Sequence, residues 1–258
     1  MSAAQHLPVH AEAEFRFYEE LNDFLPPALR KRAFAYAFHG TPAVKDAIEA
    51  IGVPHTEVDV VLVDGESVDF GRRLTGGERV AVYPVFERFD VTPVTRLRAR
   101  PLRLTRFVLD VHLGRLARYL RLLGLDALYR NDYDDHTLIE LSLDERRIIL
   151  TRDKSLLKHG AVTHGYWLRQ TEPLLQLREI LHTFDLQESC RPFTRCMACN
   201  GALQKVDKTT VLQSLPPRVR EVFDDFVQCL ACGRVYWRGS HYERMLQLVR
   251  STGARCPM

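Results

Sequence analysis

No apolar run in this 258-residue chain approaches the roughly 20 residues needed to cross a bilayer, and the first residues lack the pattern of a signal peptide. A soluble, cytoplasmic protein is therefore expected. Internal repeats, low-complexity tracts, phosphate-binding loops and nucleophile motifs are also missing, which leaves solenoids and loop-cradled phosphate chemistry without support. Charge of one sign is scarce. With 36 Lys and Arg against 33 Asp and Glu the formal net charge is only +3, so the chain is no bulk polycation and any nucleic-acid surface must be local. Cysteine is sparse too, at six, yet four of the six fall into two knuckles.

Those knuckles are Cys196-Met-Ala-Cys199 and Cys229-Leu-Ala-Cys232, each followed closely by a glycine, Gly201 and Gly233. Four thiolates in two Cys-x-x-Cys pairs suit a closed tetrahedral Zn2+ site, which is structural because no coordination position remains for water. A redox pair would need only one motif, and disulfides fit poorly with the expected compartment. The excursion between the knuckles includes Pro216-Pro217, which starts a predicted helix through Val219, Val222 and Phe226. Cys190 and Cys256 have no ligand spacing and are read as thiols outside the site.

Upstream, two short apolar segments each deliver an aspartate: Phe107-Val-Leu-Asp110 and Ile148-Ile-Leu-Thr-Arg-Asp153. Continuous apolar runs of this length read as buried strands of a parallel sheet, whose carboxyl ends gather ligands. Converging carboxylates repel unless a cation lies between them, and hard oxygen donors suit Mg2+ or Mn2+. Between the segments, a helix from Leu113 to Leu123 is predicted to stop at Gly124 and a strand to run from Asp126 to Tyr129. Asp135, at the start of the next predicted helix, is the preferred third acid; Asp134, Glu140 and Asp144 compete, and an ordinary helix cap is the plain alternative. Arg115, Arg118 and Arg121 recur at helical spacing and either hold RNA phosphates or form a solvated helix face. His112, next to Asp110, is more often a packed or capping residue than a general base. The aromatic and basic run Val235-Tyr-Trp237-Arg238-Gly-Ser-His241-Tyr242 can stack on unpaired bases or can pack as ribbon core.

The run from Phe107 through Asp110, the Arg-rich helix, Gly124 and Asp126 to Leu150-Thr-Arg-Asp153 resembles the Mut-seven carboxy-terminal RNase family, a branch of the PIN-domain nucleases. The resemblance implies a PIN-like α/β/α fold from about Thr105 to Val249 and metal-dependent RNA hydrolysis. Asp110 and Asp153 would be metal ligands and Asp135 the third, with Arg152 beside them as a further RNA contact. The Tyr-Trp-Arg-Gly-Ser-His segment is similar to one the family carries, which makes Trp237, Arg238 and His241 functional candidates.

The amino-terminal part reads as strands at Phe15 to Tyr18, Ala33 to Phe38, Val58 to Val63 and Val80 to Val85, with a helix from Thr41-Pro42 to Ile51 and a turn at Asp64-Gly65. This order resembles a ubiquitin-like β-grasp of the sulfur-carrier type. Carriers act through an exposed terminal Gly-Gly, whereas Gly76-Gly77 is internal, so a docking or RNA-positioning module, open to a protein partner, is expected instead.

The partition is then an α/β chain with a β-grasp domain over 1–87 and a basic, Pro-interrupted linker over 88–104. A PIN-like domain with a parallel sheet follows over 105–188, and a zinc ribbon with tail over 189–258. The expected function is a metal-dependent ribonuclease acting on single-stranded or structured RNA. The rival is a non-catalytic RNA-binding adaptor with a degenerate PIN fold, which would have no need of Asp110 and Asp153 together.

Overall fold

The computed structural model describes residues 10–84, 97 and 105–254. Most of the proposed linker, and Cys256, lie outside the described residues. Backbone packing separates two compact units, one joining the amino-terminal part to Asp153–Tyr166 and the other joining Leu104–Arg152 to the chain from Trp167 onward.

In the first unit, strand β1 (His10–Phe17) alternates exposed Glu12, Glu14 and Arg16 with buried Ala13, Phe15 and Phe17, the period-two pattern of a half-covered sheet. It pairs antiparallel with β2 (Phe34–His39). Helix α1 (Val44–Ile51) buries Val44, Ala47 and Ile48 and stops at Gly52, whose φ of +125° is open to glycine. It begins two residues after the predicted Pro42. Next come β3 (Val58–Val63), the short β4 (Glu66–Ser67), which the sequence reading missed, and β5 (Arg79–Pro84). The sheet order is β2-β1-β5-β3-β4, with β1 and β5 parallel at its centre. A helix crossing between two hairpin-like pairs onto such a mixed sheet is the β-grasp arrangement. Gly76 and Gly77 lie in the turn entering β5, where Glu78 accepts from the backbone of Thr75 and Gly76 at 2.6 and 2.9 Å.

The second unit is built on β6 (Arg106–Leu109), whose Phe107, Val108 and Leu109 are wholly buried. Helix α2 (Gly114–Leu122) follows, then β7 (Asp126–Leu128), helix α3 (Asp135–Glu145) and β8 (Ile148–Thr151). Strand β6 pairs parallel with both β7 and β8, as the continuous apolar runs predicted. Helix α4 (Lys154–Leu157) belongs to the first unit; β9 (Gly165–Trp167) completes the sheet order β7-β6-β8-β9, and α5 (Pro173–Thr183) packs against α2.

A three-stranded antiparallel sheet closes the chain: β10 (Leu203–Val206), β11 (Phe226–Cys229) and β12 (Val235–Trp237). Helices α6 (Lys208–Val211) and α7 (Pro217–Val222) fill the excursion, and α8 (Ser240–Ser251) follows. The helix predicted through Phe226 ends instead at Val222, and Phe226 enters the sheet to form a small core with Val211, Leu215 and Trp237. No helix among the described residues is long and apolar enough to cross a membrane.

Candidate functional site

The knuckle cysteines converge as their spacing predicted. The sulfurs of Cys196, Cys199, Cys229 and Cys232 all lie within 4.8 Å of one another, with Cys196 and Cys232 at 3.7 Å and Cys199 and Cys229 at 3.4 Å. Zinc–sulfur bonds of about 2.3 Å at tetrahedral angles require sulfurs about 3.8 Å apart, so the set fits Zn2+. Burial would raise the Cys196 thiol, but the Tyr236 hydroxyl at 3.0 Å and the backbone at Cys199 and Ala198 hold it down to about 6. Cys199 is pushed up to about 12 by burial and then by the crowding sulfurs, a repulsion that a dication at the centre would relieve. Gly201 is required by close approach: a Cβ there would lie 2.8 Å from both Ala231 Cβ and Cys229 Sγ. Among the described residues Cys190 makes no disulfide, and it donates to the Leu186 carbonyl at 3.3 Å.

Arg121 corrects the expectation of three RNA-facing arginines. Only 2% exposed, its guanidinium donates to the carbonyls of Ala127, Met197, Ala198 and Tyr129 at 2.8, 3.2, 2.9 and 3.3 Å. It ties α2 to β7 and to the first knuckle, and its donors are committed to carbonyls. Arg115 and Arg118, six and three positions earlier, remain exposed. A charge at helical spacing does not reveal which of its turns faces another element; here the seventh residue of the stripe rotates inward, toward the knuckle.

Asp126 served in the sequence only as a strand start and as part of the run that carries the resemblance, with no role of its own. It accepts from Arg147 at 2.6 Å, from Asn200 at 2.8 Å and from Arg195 at 3.3 Å. Burial would raise its carboxyl, but the bonds from Arg147 and Asn200 and the charges of Arg147 and Arg195 hold it below the usual carboxylate range. The Asn200 amide oxygen also accepts from the Ala127 backbone at 3.1 Å, so the knuckle is joined to the edge strand β7.

Asp110 follows β6 directly, its backbone N–H donating to Leu150 at 3.1 Å and its Oδ2 accepting from the Thr151 hydroxyl at 2.6 Å. Thr151, wholly buried at the end of the adjacent parallel strand, was part of the motif that carries the resemblance but was given no role of its own; the register Leu109↔Leu150 places it opposite Asp110. Asp153 lies two residues beyond Thr151, where it caps α4. Its Oδ1 accepts from the Ser155 hydroxyl at 2.6 Å and backbone at 2.7 Å, and the hydroxyl bond chiefly holds its carboxyl below the ordinary value. Asp134 caps α3, accepting from Thr137 N–H at 2.8 Å, while Asp135 is the exposed first residue of that helix. Asp110 and Asp135 belong to no set of three or more potential ligands that meet among the described residues. Arg152 is exposed, but its Nη1 already donates to the carbonyls of Arg169 and Gln170 at 3.3 and 2.5 Å.

In the ribbon, Trp237 is half-buried against the Val211, Leu215 and Phe226 core, whereas Arg238 and His241 are exposed. Arg238 sits 5.6 Å from the centroid of Tyr242, which leans on Phe193 at 4.6 Å. These aromatics border a cavity of about 650 Å³ between the ribbon and α8.

The second unit thus joins a parallel α/β sheet, with acids at its strand ends, to a four-cysteine ribbon bonded to the edge strand β7. The Mut7-C RNAse domain model matches residues 105–249, and the chain belongs to that family. The Mut7-C ubiquitin model matches residues 10–90, in agreement with the β-grasp sheet. Comparison with curated proteins finds no match. Among solved structures, the crystal structure of H. volcanii small archaeal modifier protein 1 aligns at 20% identity and a TM-score of 0.24, over 29% of this chain and 97% of that one.

Proposed function

We propose that this protein is a metal-dependent ribonuclease that hydrolyses RNA phosphodiester bonds, with Asp110, Asp153 and Asp135 as its acidic ligands. The match to an RNase domain carries the reaction class, and the Asp110 carboxylate, oriented by Thr151 at a parallel strand end, is the observation that carries the site. Asp153, ionised through its Ser155 bonds and two residues past that strand, supplies a second hard oxygen donor, which suits Mg2+ or Mn2+. When bound, such an ion supplies activated water and charge neutralisation at the phosphate. Thr151 donates to one oxygen of Asp110 and leaves the other oxygen for coordination. Arg115 and Arg118 present charge from the helix that begins four residues after Asp110, where they attract and align the RNA backbone. Trp237, Arg238 and His241 offer a stacking and phosphate-binding edge on the ribbon.

The test is cleavage of a mixed pool of structured and unstructured RNAs with Mn2+, Mg2+ or chelator. Asp110→Asn and Asp153→Asn are each expected to abolish metal-dependent cleavage while zinc content and melting behaviour are kept. Full activity in either variant would sink its ligand role. RNA binding without cleavage by the wild type under every condition would establish the adaptor instead.

A further inference from the structure

His55 is a buried ionisable side chain that the cleavage chemistry does not use; it is 6% exposed. Its Nδ1 lies 2.6 Å from Glu49 Oε1, and its Nε2 lies 2.7 Å from the carbonyl oxygen of Val162, 107 residues further along the chain. A carbonyl oxygen only accepts, so Nε2 is the donor of that bond and the ring is held at both nitrogens. Phe70 meets the imidazole edge-on at 5.7 Å, which fixes its tilt. Two further ties connect the same parts of the chain. Lys158 Nζ donates to the Glu49 carbonyl at 3.0 Å, and the Lys154 ammonium stands 4.8 Å from the centroid of Phe24. Leu156, Leu157 and Val162 are buried within the same compact unit. Every one of these ties begins in residues 24–55 of the β-grasp domain and ends in residues 154–162, the stretch that directly follows Asp153.

We propose that the ubiquitin-like domain works as an intramolecular clamp on the Asp153–Tyr166 segment, with His55 as the positioning residue that holds this segment in register for cleavage. The proposal rests on the reading of Asp153 as a cleavage residue. The physical need is plain in the segment itself. Helix α4 has four residues, far below the length at which a helix has stability of its own, and irregular chain joins it to β9. Its order therefore comes from what it packs on, and what it packs on is the β-grasp domain. A displacement of about 1 Å in a group next to the reacting atoms can cost on the order of a hundredfold in rate, so anchoring the segment is a catalytic requirement and not only a structural convenience. The clamp also gives the domain a use that needs neither a terminal Gly-Gly nor transfer of sulfur.

The experiment compares the full chain as wild type, His55→Leu, His55→Gln and Lys158→Met. Amide hydrogen exchange over residues 154–162 reads the clamp, and kcat and KM for metal-dependent RNA cleavage read its consequence. His55→Leu is expected to speed exchange in that stretch by about tenfold or more while strands β6 and β7 keep their protection. It is also expected to lower kcat about tenfold with KM changed less than about twofold, because the loss concerns the reacting geometry and not RNA affinity. His55→Gln, whose amide can still donate to the Val162 carbonyl, should recover most of both. Lys158→Met, which leaves the buried imidazole in place, should shift both readouts in the same direction by less. Unchanged exchange over 154–162 in His55→Leu overturns the clamp, and faster exchange with unchanged kcat overturns its positioning role. Should the wild type not cleave RNA at all, the ribonuclease reading fails separately, and exchange alone decides the clamp: faster in His55→Leu supports it, unchanged refutes it.

Discussion

Arg115, Arg118 and Arg121 show how three identical residues in one stripe divide by what each can reach. The Arg121 guanidinium is surrounded by four carbonyls, whereas its two predecessors face solvent. Removing Arg121 leaves buried acceptors unpaired, a loss of roughly 2–4 kcal/mol, so Arg121→Met should lower the melting temperature by several degrees. Arg115→Ala and Arg118→Ala should leave melting within about a degree and instead weaken RNA binding, with a salt dependence shallower by about one counterion each. Equal effects of all three variants on binding, with none on stability, would contradict this division. Asp126 gives a second test at this scale. Its folded carboxyl lies below the value of about 3.9 expected in an unfolded chain, so its contribution is complete above that value and is lost as pH falls through the folded pKa. Asp126→Asn should therefore destabilise the protein at neutral pH and flatten the acid limb of its stability profile. An acid limb identical to wild type would show that other carboxylates control it.

At the scale of elements, the ribbon strands are short, at four, four and three residues, and their own core is small. Such a module needs a staple, and four sulfurs within 4.8 Å can hold a metal ion that would provide one. One zinc per chain is expected by metal analysis. Its removal by a strong chelator should unfold β10–β12 while the β-grasp strands keep their hydrogen-exchange protection. Retention of ribbon protection after complete zinc loss would mean that the Arg121, Asn200 and Asp126 contacts suffice by themselves. The elements also show which local signals were legible. Strands β6 and β8, whose residues are buried almost throughout, stood out as unbroken apolar runs, whereas β1, expected at Phe15 to Tyr18, begins already at His10. Strand β4 escaped because two residues are too few to show any period. Helix α3 was placed correctly, but its cap is Asp134: two adjacent aspartates offer the same chemistry, and only the backbone turn decides which one faces the Thr137 N–H.

For the whole molecule, the order of β-grasp sheet, parallel sheet and knuckle ribbon was readable because each rests on local patterns of residues. The matches over 10–90 and 105–249 agree with that order. What the order did not reveal is that Asp153–Tyr166 packs with the amino-terminal unit, since the bond between His55 and Val162 spans 107 residues and leaves no periodic trace. The internal position of Gly76-Gly77 was legible at once, and the turn closed by Glu78 accounts for it. The sequence by itself determined the convergence of the four knuckle cysteines and the strands that deliver Asp110 and Asp153, because spacing and hydrophobic period are properties of neighbouring residues. Only the tertiary structure decided that Arg121 and Asp126 bind the ribbon to the sheet and that Thr151 orients Asp110. Those roles depend on burial and on partners far away in the chain, which no local pattern encodes.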